Sequence, residues 1–248
     1  AFEYGSQAVG HGITEFHIVS AMHPDMPFDY YLEIVKNFNQ AFPDIHIQAF
    51  TAVEIFYFSQ ISGLSIREVL SALKEAGLGS MPGGGAEILN DELRKQLCPK
   101  KAMSEEWLEV HRTAHELGIK TNCTMLFGHI ESYKDRIEHM IRLRDLQDTA
   151  PGFQSFIPLP FLPENTKMTK VKRTSAVDDL KTIAISRLML DNIDHIKAFW
   201  IMLGLPIAQI ALDFGADDID GTVIEERIMH AAGAETQTGI TKDEIIAL

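Results

Sequence analysis

Short apolar runs alternate with helical spacing along most of this 248-residue chain, and that alternation constrains the fold more than any other feature. Thr14–Val19, Ile45–Thr51, a short run before Pro82, Lys120–Phe127 and Phe153–Leu159 read as strands. Between them, Phe28–Phe42, a segment capped by Ser65 and stopped at Gly77, Ser104–Leu117, Asp135–Asp148 and Val177–Leu190 carry helical periodicity. Strands regularly followed by helices imply βα units and a parallel sheet. The strands are short, many and unbroken by any shift in composition. A partial or near-complete (β/α) barrel of TIM type with a C-terminal helical tail fits better than a doubly wound sheet. Residues 1–248 are therefore expected to form one barrel domain. His195–Leu203 and Ile207–Leu212 are read as further strands, and the end from Val223 as helix, Gly-rich turn and helix.

Met81-Pro82-Gly83-Gly84-Gly85-Ala86-Glu87-Ile88 lies where the third strand gives way to a helical pattern that ends near Arg94 and Leu97. Consecutive glycines lose much backbone entropy on folding, so they are used where something approaches closely or φ is positive. The C-terminal ends of strands are where parallel α/β folds bind ligands. Glu54, Glu87, His129 and Glu131 all follow strands, and together they mark a pocket rim expected to face one mouth. Other motifs fail on spacing. His111 and His115 are four apart, but Arg112 stands where a metalloprotease needs Glu, so they read as packing or surface residues. Asp217, Asp218 and Asp220 lack the acidic first and last positions of a calcium loop and read as acceptors for main-chain N–H groups. No nucleophile motif is present.

A net charge of −13 argues against nucleic acid or an anionic membrane as partner. No apolar run is long enough to cross a membrane, and no signal peptide is visible, so a cytoplasmic setting is expected. Cys98 and Cys123 are the only cysteines, too few for a disulfide framework or a three-cysteine cluster site.

Five segments together resemble radical S-adenosylmethionine enzymes of menaquinone and deazaflavin biosynthesis. They are residues 49–55, 82–88, 111–115 and 122–131, with Phe214-Gly215-Ala216-Asp217-Asp218-Ile219-Asp220-Gly221-Thr222. Within that group the aminofutalosine synthases are most similar. The resemblance implies S-adenosylmethionine and a 4Fe–4S cluster as cofactors, and an electron donor such as flavodoxin or ferredoxin. It implies attack of a 5′-deoxyadenosyl radical on a small molecule, 3-[(1-carboxyvinyl)oxy]benzoate, to give 6-amino-6-deoxyfutalosine. On that basis Ser20, Ala21, Glu54, Gly83, Gly84, Gly85 and Glu87 are candidate cofactor contacts, with Glu87 on the ribose hydroxyls. Arg94, His129 and Glu131 are candidate substrate contacts, and individual catalytic roles stay unassigned. The sequence departs from the family in two places. The C-x-x-x-C-x-x-C cluster motif is absent, so the chain is expected to be truncated, lacking its first strand and cluster loop and inactive as it stands. Ser20-Ala21 replaces the Gly-Gly common near the methionine end of the cofactor. The alternatives are the sister dehypoxanthine futalosine cyclase, a deazaflavin synthase subunit, or a cluster-less ligand-binding barrel.

Overall fold

The computed structural model describes residues 2–10, 12–168, 170–223, 228–237 and 239–248. The elements run α1 (Phe2–Val9), β1 (Glu15–Ile18), α2 (Phe28–Ala41), β2 (His46–Ala49), α3 (Ala52–Ser62), α4 (Ile66–Ala76), β3 (Ser80–Met81), α5 (Asp91–Leu97) and α6 (Ser104–Glu116). They continue through β4 (Lys120–Phe127), α7 (Tyr133–Thr149), β5 (Phe153–Pro160), α8 (Ala176–Met189), β6 (His195–Ile196), α9 (Trp200–Leu203), α10 (Leu205–Ala211), α11 (Ile228–Ala232) and α12 (Lys242–Ile246).

The strands lie in a parallel six-stranded sheet in the order β1-β2-β3-β4-β5-β6 among the described residues. Helices intervene between successive strands. A doubly wound sheet reverses its strand order; a strictly sequential order is that of a (β/α) barrel.

Local signals explain most of the boundaries. Ser65 caps α4 by accepting from the Glu68 amide, and Glu68 returns the bond to the Ser65 amide. Gly77, at φ 114°, ends that helix in the left-handed region.

The chain divides into two compact units by its internal contacts. The first comprises Ala1–Gly85, Cys98–Asn122 and Thr149–Phe153. Its core packs Tyr31, Phe50 and Phe58 with Val69, Leu70 and Leu73, all nearly or fully buried. The second comprises Ala86–Leu97, Cys123–Asp148 and Gln154–Leu248. Its core includes Met125, Phe127, Met140, Leu143, Phe156, Ile196 and Trp200.

Two sequence expectations are corrected. The predicted strand over His195–Leu203 is a two-residue strand, His195–Ile196, followed by helix α9. The predicted strand over Ile207–Leu212 is helix α10, with Pro206 in its first turn, where a missing N–H costs nothing. In the tail, α11 and α12 match the expected helices, whereas residues 224–227 of that reading lie outside the described residues.

Candidate active site

In the first unit the end of β1 is fastened to the start of α3 through Glu54. Oε1 accepts from the Ser20 amide at 2.6 Å and from Ser20 Oγ at 2.9 Å. Oε2 accepts from the Thr51 amide and Thr51 Oγ1, each at 2.7 Å. Thr51 accepts in return from the Glu54 amide, so the pair is a capping box. At 4 % exposure, this carboxylate is used by the protein itself. Glu54 thereby fixes Ser20-Ala21 rather than offering free oxygens to a ligand.

The glycine stretch packs against the same helix start. Gly85 has φ 82°, and a Cβ there would lie 2.4 Å from Val53 Cγ2. A Cβ on Gly84 would lie 3.0 Å from Thr51 Cγ2, and the Gly84 carbonyl accepts from Trp107 Nε1 at 3.3 Å. The sequence reading expected a ligand to come close to these glycines. At Gly84 and Gly85 the close neighbour of the absent Cβ is the protein's own first turn of α3.

His111 and His115 are buried in this unit and share one hydroxyl. His115 Nδ1 lies 2.7 Å from Ala150 O, which can only accept, so Nδ1 carries the proton. Burial lowers the basicity of this ring, an effect only partly offset by the Ala150 bond, and its pKa falls to about 4. His115 Nε2 therefore accepts from Thr121 Oγ1 at 2.8 Å, and Thr121 Oγ1 accepts from His111 Nδ1 at 2.9 Å. His111 Nε2 is left as a buried lone pair without a partner among the described residues. The packing role expected for these histidines holds. No group of three His, Cys, Asp or Glu among the described residues could hold a metal. Thr121→Val keeps the shape but removes the shared oxygen. It is expected to cost about 1–3 kcal/mol in urea denaturation, and an unchanged midpoint would refute the relay.

In the second unit, Glu87 opens the path to α5. It has φ 46°, one of the non-glycine residues in the left-handed region, and its carbonyl accepts from the Leu126 amide at 2.8 Å. Arg94 is fully buried and donates from Nη1 to the carbonyls of Ala86 and Ile88. It secures the main chain on both sides of Glu87. His139, which the sequence reading passed over, is fully buried and accepts from the Leu89 amide at 3.0 Å.

His129 and Glu131 close a turn at the end of β4. Glu131 accepts from the Gly128 amide at 2.6 Å, the His129 amide at 2.8 Å and Arg136 Nε at 2.9 Å. His129 Nδ1 lies 2.9 Å from Glu131 Oε2, and His129 Nε2 donates to Leu126 O at 2.9 Å. Burial alone would raise the Glu131 carboxyl, but hydrogen bonds from His129 and the Gly128 amide outweigh it and hold the group at about 2. Arg136 extends the network to Asp178 Oδ2 at 3.1 Å and Thr182 Oγ1 at 3.0 Å. The side chains of His129 and Glu131 are 0 % and 1 % exposed, and they shape this turn.

The Asp217–Asp220 loop behaves as read. Asp217 Oδ1 accepts from the Ile196 amide at 2.8 Å, and Asp218 Oδ1 accepts from the Asp220 amide at 2.6 Å. Cys98 and Cys123 are both buried, and burial pushes the Cys123 thiol well above its ordinary value. A cluster needs accessible thiolates, so these two residues do not fit one. No helix among the described residues is long and apolar enough to cross a membrane.

Sequential βα units, with polar side chains fixed at the strand ends, define a barrel-type enzyme scaffold. Residues 3–143 match the Radical SAM superfamily, and residues 150–246 match the CofH/MqnC C-terminal region. The chain belongs to the radical SAM superfamily. It is 51% identical over 238 residues to a protein of Thermus thermophilus named aminodeoxyfutalosine synthase, covering 94% of this chain and 64% of that one. It is 42% identical to the Streptomyces coelicolor protein of the same name, covering 96% of this chain and 65% of that one. A Methanothermobacter thermautotrophicus protein named 5-amino-6-(D-ribitylamino)uracil--L-tyrosine 4-hydroxyphenyl transferase is 41% identical, covering 98% of this chain and 68% of that one. The chain thus spans just under two thirds of the first relatives' length. Among solved structures, methylornithine synthase aligns with TM-score 0.62 at 16% identity, over 84% of this chain and 57% of that one, a likeness of fold alone.

Proposed function

We propose that this chain belongs to an aminodeoxyfutalosine synthase. The observation that carries this reading is the 51% identity to a protein of that name across 94% of the chain. The substrates would be S-adenosylmethionine and 3-[(1-carboxyvinyl)oxy]benzoate, and the product 6-amino-6-deoxyfutalosine. A 4Fe–4S cluster, if bound, would supply the electron for cleavage of S-adenosylmethionine. The two buried cysteines here do not fit it, and no step is assigned to them.

The chain's own residues would bind and orient. Glu54 holds Ser20-Ala21 at the end of β1, where two small side chains leave room for the methionine end of the cofactor. Glu87 would accept from the ribose hydroxyls, on a main chain fixed by Arg94 and the Leu126 amide. A radical intermediate also needs a dry site close to its target carbon, which a barrel lumen provides.

The test is the reaction itself. The full-length enzyme, reduced anaerobically by a flavodoxin- or ferredoxin-type donor, should convert the enolpyruvyl benzoate to the nucleoside product seen by mass spectrometry. Turnover of tyrosine with ribitylaminouracil instead would move the reading to the sister transferases, which the 41% identity makes the second choice. Glu87→Gln in that enzyme is expected to weaken S-adenosylmethionine binding roughly ten- to a hundredfold by calorimetry, the effect of losing a charge-assisted pair. Equal affinities would remove Glu87 from the site.

A further inference from the structure

Between β3 and α5 the main chain of residues 86–89 is tied at successive atoms, all within the second unit. Arg94 Nη1 donates to Ala86 O and Ile88 O, the Leu126 amide to Glu87 O, and Arg142 Nη1 to Leu89 O. The Leu89 amide donates to His139 Nδ1 at 3.0 Å. Glu87 lies inside this stretch at φ 46°. The left-handed conformation is unfavourable for a non-glycine residue. Such a conformation persists only where its surroundings over-determine it, and outliers of this kind gather at functional sites.

His139 differs from the other ties because it grips in two directions. Its Nε2 lies 3.0 Å from Thr124 O in β4. A carbonyl only accepts, so Nε2 carries the hydrogen and Nδ1 is left as the acceptor for Leu89. Burial favours this neutral ring and pulls its pKa down to about 3, only partly offset by the bond to Thr124. The imidazole therefore sets the spacing between β4 and residues 86–89. The Leu126–Glu87 hydrogen bond at 2.8 Å forms at that same spacing.

We propose that His139 is a positioning residue for Glu87, aiming its carboxylate through the hydrogen bond that Nδ1 accepts from the Leu89 amide. This inference rests on the reading of Glu87 as a ribose ligand. His139 does not touch the substrate in this account.

Two near-isosteric variants separate positioning from plain stability. In His139→Asn the amide oxygen falls near the place of Nδ1 and keeps the bond to Leu89. In His139→Gln the amide group reaches toward Thr124, and the Leu89 amide loses its acceptor. S-adenosylmethionine is titrated into the full-length, cluster-loaded enzyme by calorimetry, with thermal denaturation in parallel. The Gln variant is expected to bind about tenfold more weakly and the Asn variant within about twofold of wild type, since small misplacements of a binding group cost that much. In a Glu87→Gln background, His139→Gln is expected to add little further loss, because both act through one carboxylate. If both His139 variants only lower the melting temperature while Glu87→Gln weakens binding, the positioning role is overturned and the Glu87 reading stands. Losses that simply add would also overturn it. If Glu87→Gln leaves affinity unchanged, the ribose reading falls and the positioning role falls with it. Should the Gln variant fail to fold, a folded Asn variant that binds tenfold more weakly overturns the proposal by itself.

Discussion

Glu131→Gln is expected to destabilise the second unit by roughly 3–5 kcal/mol, the cost of breaking a buried charge pair from one side. One carboxylate oxygen takes the Gly128 amide and Arg136, and the other takes the His129 amide. A carboxamide must turn its NH₂ toward donors on one side or the other, whichever way it flips. Arg136 would keep Asp178 and Thr182 but lose its closest carboxylate. The same carboxyl sets an acid limb. Its pKa is depressed from 4.5 to about 2 in the folded chain. Its contribution, on the order of 3 kcal/mol, is therefore present above about pH 4.5 and drains away as pH falls toward 2. Urea denaturation at neutral pH and at pH 3 checks both statements. The wild type should lose much more stability on acidification than the Gln variant, and parallel losses would refute the assignment.

Gly85→Ala is the second large effect. Alanine at φ 82° costs about 1–2 kcal/mol, and forcing its Cβ to within 2.4 Å of Val53 Cγ2 adds overpacking of about 1–3 kcal/mol. Val53 is β-branched at the start of α3, so it has little rotamer freedom with which to yield. The expected total is roughly 2–5 kcal/mol in denaturant unfolding. Val53→Ala should be less damaging in the Gly85→Ala background than in wild type, because it removes the methyl that obstructs the new Cβ. Strict additivity of the two substitutions would show that the clash is not the cause.

Local signals made much of this architecture legible. β4 spans the residues that its composition picked out, Lys120–Phe127, and Ser65 and Gly77 bound α4 as a cap and a stop should. α3 went unread because its sequence, AVEIFYFSQIS, is apolar on nearly every face and shows no helical stripe. Its signature is present in Thr51-x-x-Glu54, where Glu54 forms half of a capping box. The runs at His195–Leu203 and Ile207–Leu212 were misassigned because short apolar segments do not distinguish a strand from a buried helix.

At the site, several of the side chains that the sequence singles out bond to the protein's own groups. Arg94, His129 and Glu131 do lie beside strand ends, yet their partners are neighbouring main-chain groups and each other. His139 and Arg136 leave no trace, because α7 reads only as a charged amphipathic helix. Their partners lie 50 residues away at Leu89 and 42 away at Asp178. Long-range pairing of this kind has no local periodicity to betray it.

The backbone at position 87 would accept glycine or asparagine more readily than the glutamate it carries. Stability and side-chain chemistry therefore pull in opposite directions there. A thermostability screen that let this position vary would reward glycine, and each such success would discard the carboxylate to which we assign the ribose. Loss of binding accompanied by a gain in melting temperature is a trade-off that ordinary core positions do not show.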